Sequence, residues 1–109
     1  MKIELEQFTQ SRFEHFKGGE GCLIAAMFND DLNRLILGTL TPGSSIGMHT
    51  HDTSSEIILV KAGTPKFILD GTEERLAPGQ VHYCPKGGTH TMINDTEENV
   101  EFFAVVPQQ

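Results

Sequence analysis

Residues 43–63 read GSSIGMHTHDTSSEIILVKAG, with His49 and His51 two apart, Glu56 five further on, and a glycine at each end. In a β-strand, positions i and i+2 project from one face, so the two imidazoles leave the strand side by side. Neutral imidazole is a good ligand for first-row divalent metals, and a neighbouring carboxylate compensates the ion's charge. The stretch therefore predicts a strand carrying two metal donors. Glu56 then opens a second, β-branched strand, IILV, and can reach back towards the pair.

Downstream, KAGTP is a turn, and KFILDGTEERL folds on Asp70-Gly71, a dipeptide suited to positive φ in a type I′ hairpin. VHYCP is a short strand stopped by Pro85, THTMIN is the next, and VEFFAVV is the last before Pro107. Upstream, CLIAAMF and RLILGTL flank NDDLN, whose Asn and Asp residues are turn formers, so the three segments predict a hairpin. KIELE at residues 2–6 alternates in the strand manner, whereas QFTQSRFEHFKGGEG suits neither period and predicts an irregular arm or a short helical turn. No helix of ten residues is evident. Short strands with closely spaced turn signals predict an all-β protein, closed or sandwiched so that its edges are protected.

With 109 residues the chain is long enough for one core and one domain. Fifteen acidic residues against eight scattered basic ones leave a formal charge of −7, which disfavours a nucleic-acid or anionic-membrane partner and favours a small molecule. No apolar run approaches the roughly 20 residues of a membrane span, and MKIELEQFTQ lacks an apolar signal core, so a cytoplasmic location is expected. Cys22 and Cys84 have no CxxC spacing and are expected to be reduced, buried, small apolar residues.

His90, on THTMIN, adds a third imidazole. Three imidazoles and one carboxylate leave two of six octahedral positions open, which separates a reactive site from a structural plug. At this point the chain resembles the cupin superfamily. Gly43, His49, His51, Glu56 and Gly63 fit its first signature, G-x5-H-x-H-x4-E-x6-G, and Gly79, Pro85, Gly87, His90 and Asn94 fit its second, G-x5-P-x-G-x2-H-x3-N. The resemblance implies a double-stranded β-helix, or jelly-roll barrel, over residues 21–109. It also implies one divalent transition metal (Fe, Mn, Ni, Cu or Zn) held by His49, His51, Glu56 and His90. Relatives commonly dimerise through sheet edges and an N-terminal segment, so residues 1–20 are expected as an arm at a homodimer interface.

The remaining candidates carry two readings each. Tyr83 is either a core aromatic or a pocket donor and general acid, and His82 is either packed or solvated, or a further group at the site. Asn94 either orients a ligand or ties off the adjacent turn. Phe67, Met92, Phe102 and Ala104 fall on inward-facing positions as pocket walls or as ordinary core. The implied function is a metal-dependent enzyme of oxygenase or isomerase type acting on a small organic molecule. The alternative is a non-enzymatic, metal-dependent binding or sensor module.

Overall fold

A computed structural model describes all 109 residues. Ten antiparallel strands form two facing sheets, the expected all-β jelly-roll barrel. They are β1 (Ser11–Glu14), β2 (Cys22–Asn29), β3 (Asn33–Leu40), β4 (Ser45–Thr50), β5 (Glu56–Ala62), β6 (Lys66–Leu69), β7 (Thr72–Arg75), β8 (Val81–Cys84), β9 (Thr89–Ile93) and β10 (Val100–Pro107). The larger sheet runs β1-β2-β3-β10-β5-β8 and the smaller runs β4-β9-β6-β7.

The turn chemistry explains the hairpins. Asp30 Oδ1 accepts from the Leu32 and Asn33 amides at 3.0 and 2.7 Å, closing β2 onto β3. Asp70 and Gly71 adopt φ of 48° and 84°, as a type I′ turn requires between β6 and β7. Asn94 ties off the turn that follows β9: its amide donates to the Leu40 and Glu98 carbonyls at 2.8 Å, and its oxygen accepts from Thr96. Alternation then decides burial. On β5, Glu56, Ile58 and Val60 face inward while Ile57 and Leu59 face outward. The inward positions build a core that includes Leu23, Leu40, Ile58, Val60, Phe67, Val100 and Phe102. Each large apolar side chain fully withdrawn from water there contributes about 1.5–3 kcal/mol.

The N-terminal stretch departs from expectation. KIELE is not a strand: Leu5–Gln7 form a 3-10 turn with Leu5 buried, because no neighbouring strand is placed to pair with it. Residues 11–14 become β1, the edge strand beside β2, and Phe16–Gly18 make a second turn that crosses β4. That crossing is close. A Cβ on Gly19 would lie 2.1 Å from the Ser45 carbonyl oxygen, and one on Gly47 would lie 2.0 Å from that of Lys17. Hydrogen bonds from the Ser45 amide to the Glu20 carbonyl (2.8 Å) and from the Glu20 amide to Ser45 Oγ (2.9 Å) fasten it.

Candidate metal centre

The histidine strand reaches the interior through an irregularity. Ile46 pairs with Met92 and His49 with His90, so three steps along β4 oppose two along β9. The extra residue is a β-bulge at Gly47–Met48, and a bulge shifts every later side chain to the other face. Ile46 is buried, Met48 is exposed, and His49 turns back inward. His51 lies just past β4, held by backbone hydrogen bonds with Gly87 and Gly88. Glu56 comes from the opposite sheet at the start of β5, and His90 from near the start of β9.

Four donor atoms converge. The Nε2 atoms of His49 and His51 are 3.1 Å apart, those of His51 and His90 3.0 Å, and those of His90 and His49 3.2 Å. Glu56 Oε1 lies 3.1 Å from His51, 3.0 Å from His90 and 3.9 Å from His49. With metal–ligand bonds of about 2.1 Å, an octahedron has edges near 3.0 Å and diagonals near 4.2 Å, whereas all six edges of a tetrahedron are near 3.4 Å. Five short separations and one long one match the octahedron. The donor set therefore fits one divalent ion, which His49, His51, Glu56 and His90 would hold. Four protein donors would leave two of six positions open on such an ion.

The surroundings favour this use. His49 Nδ1 lies 2.7 Å from the Gly47 carbonyl oxygen, which can only accept, so the proton sits on Nδ1 and a neutral ring turns its Nε2 lone pair to the centre. His51 Nδ1 is 2.8 Å from Ser54 Oγ, and His90 Nδ1 is 3.0 Å from His82 Nε2. Burial pushes the Glu56 carboxyl up, but hydrogen bonds that the three imidazoles donate through Nε2 when they carry a proton there outweigh burial and hold it well below the usual carboxylate range. For His82, burial lowers the pKa and the hydrogen bond to Glu74 offsets this only in part.

Beside the donors is a narrow cavity of about 60 Å³, room for a few water-sized groups. Its walls are mainly apolar, among them Phe16, Ile36, Ile58, Met92 and Phe102, with Lys17 and Arg34 as the cations. Lys17, Arg34, His51 and Val106 also line a polar outer vestibule of about 300 Å³, so the two cations stand where the vestibule meets the cavity.

Of the residues singled out from sequence, His49, His51, Glu56 and His90 come together. Met92 and Phe102 line the cavity, but Phe67 and Ala104 do not: both are fully buried in the core, Phe67 stacked on His82 at 4.0 Å. Tyr83 is 53% exposed on the outer face of β8 and cannot serve as a donor or acid in the cavity. His82 is fully buried behind His90 and bonds to that ring, away from the cavity. Lys17, Arg34 and Glu74 gave no signal as lone charged residues in sequence; only the fold brings them to the site.

The family model described as "Cupin domain" matches residues 36–106. A Thermotoga maritima protein called "Oxalate-binding protein" is 26% identical over 112 residues, covering 97% of this chain and 93% of that protein. A crystal structure from Thermotoga maritima, described as a predicted oxalate decarboxylase, superposes with a TM-score of 0.92 at 26% identity over the full length of both chains. The cupin domain of a Schizosaccharomyces pombe protein shares the fold, with a TM-score of 0.81 at 13% identity over 99% of this chain and 74% of that one. With its signatures, its barrel and this match over most of its length in agreement, the chain belongs to the cupin family.

Proposed function

We propose that the chain holds one divalent transition metal (Fe, Mn, Ni, Cu or Zn) on His49, His51, Glu56 and His90, and binds a small carboxylic acid beside it. One observation carries the reading: the donor cluster lies beside a small apolar cavity whose only cations, Lys17 and Arg34, stand at its mouth. An acid with two neighbouring oxygens suits the two positions that four donors would leave open, and the cations offset its charge in a chain that is acidic overall. The descriptions of the Thermotoga matches support oxalate as the first compound to test. A bound metal would supply Lewis acidity and fix the acid's orientation. The protein's part is to hold the donors rigid, keep bulk water out with Ile36, Ile58 and Phe102, and draw the anion inward. Titration calorimetry with oxalate tests the reading: binding is expected to the Mn(II)-loaded protein, to weaken at least tenfold in Arg34→Ala, and to vanish without metal. A Mn(II)-loaded protein that binds neither oxalate, malonate nor glycolate would overturn it.

An enzyme of oxygenase or isomerase type is the second reading, favoured by the same two positions that four donors would leave open. It ranks second because the cavity holds no free imidazole or carboxylate beyond the four donors to move a proton. Turnover of any such acid that disappears in His51→Ala would promote it. The reading also includes a homodimer, since Ile57, Leu59, Val81 and Tyr83 form an apolar outer face, 37–54% exposed, for a second copy to cover. Sedimentation should then give twice the 12.0 kDa of one chain. Free, buried Cys22 and Cys84 suit the reducing cytoplasm, where we place the protein.

A further inference from the structure

His82 is the one buried histidine that is not among the four converging donors. It is fully buried on β8, its ring stacked on Phe67 (centroids 4.0 Å, 13°) and nearly parallel to that of His90 (5.3 Å, 13°). Its Nδ1 is 2.9 Å from Glu74 Oε1 and its Nε2 is 3.0 Å from His90 Nδ1. A carboxylate only accepts, so His82 donates its Nδ1 proton to Glu74 and keeps a lone pair on Nε2. That lone pair in turn can be met only by an Nδ1 proton on His90, which leaves the His90 Nε2 lone pair aimed at the other donors. Of the three candidate imidazole ligands, His90 alone is oriented through such a chain; His49 and His51 use a carbonyl and a hydroxyl.

We propose that Glu74 and His82 are positioning residues of the metal centre, a hydrogen-bonded chain that fixes the ring plane and the tautomer of His90. The proposal rests on the metal-binding reading above, where outer partners of this kind govern affinity by orienting ligands. The simpler role is a fastening between β7 and β8, edge strands of opposite sheets with no backbone ladder between them. That role needs only the Glu74–His82 bond, not the bond onward to His90.

The experiment compares wild type, His82→Leu, His82→Gln and Glu74→Ala. Imidazole ¹⁵N spectra of the metal-free proteins at pH 8 should show His90 as the pure Nδ1–H tautomer in wild type and as a mixture in His82→Leu. Co(II) titration should show roughly 10- to 100-fold weaker binding in His82→Leu, recovered to within a few-fold in His82→Gln, whose amide oxygen can accept the same proton. Glu74→Ala should lose less but still measurably, since this carboxylate is 54% exposed and water can replace it only in part. An unchanged His90 tautomer in a folded His82→Leu, or Co(II) affinity within twofold of wild type, overturns the proposal. If His82→Leu does not fold, Glu74→Ala decides: unchanged tautomer and affinity overturn the chain, a mixed tautomer supports it. Wild type that binds no Co(II) would refute the metal reading, while the metal-free spectra still judge the chain.

Discussion

The barrel has two seams, where an edge of one sheet meets an edge of the other, and they are closed by different materials. At the first, residues 15–20 lie over β4 with backbone against backbone, so near that neither Gly19 nor Gly47 has room for a methyl group. At the second, β7 and β8 are joined through side chains, Glu74 to His82, with Phe67 stacked behind. Backbone contact makes a tight seam, and it sets Phe16 and Lys17 beside the cavity. Side-chain contact makes a looser seam, but one that continues into the site through His90.

The largest expected effect breaks the first seam. A Cβ at residue 47 would meet backbone on every near side, with the Lys17 oxygen at 2.0 Å and the Gly19 nitrogen at 2.7 Å. Gly47→Ala should cost about 3 kcal/mol in urea unfolding, the upper end for overpacking; a loss under about 1 kcal/mol would mean that this seam yields as easily as the other. Metal comes next. An ion present at about 100 times its dissociation constant should add about 2.7 kcal/mol to stability, read as a rise in Tm. His51→Ala should remove most of that increment while the metal-free protein unfolds near the wild-type midpoint.

A smaller effect sharpens the second seam. Burial depresses the folded pKa of His82, so below about 6.5 the unfolded chain takes up a proton that the folded chain refuses. Metal-free protein should lose stability as pH falls through that range, and His82→Gln should flatten the slope. Glu56 acts lower: its carboxyl is held well below the usual range, so its contribution persists until pH falls beneath the ordinary carboxyl value of about 4.3. Least of all, Tyr83→Phe should leave metal affinity unchanged and stability within about 0.5 kcal/mol, because the ring faces outward on β8.

The four converging donors were legible because strand periodicity and the HxH spacing are local, and the second signature placed His90 against them. The hairpins were legible for the same reason, through Asn, Asp and Gly at the turns. The expected strand at KIELE failed because alternation marks a strand only where a partner exists, and none is placed beside residues 2–6. Phe67 and Ala104 face inward as read, but depth along the barrel separates core from cavity wall, and alternation carries no information about depth. Lys17, Arg34 and Glu74 reach the site through a crossing turn, a hairpin and an edge strand, contacts that exist only once the chain has closed.

The bulge at Gly47–Met48 has a consequence for how such sites come and go. Ile46 and His49 are separated by an odd number of steps, yet both point inward. Were the same residues paired three steps against three, with no bulge, both histidines would keep their letters and spacing and turn to solvent, whereas a chain one residue shorter there would face them inward by regular alternation. Whether this architecture holds a metal is thus decided by register as well as by composition: residues outside the ligand set, at Gly47–Met48, settle which face the donors take while every ligand letter stays in place.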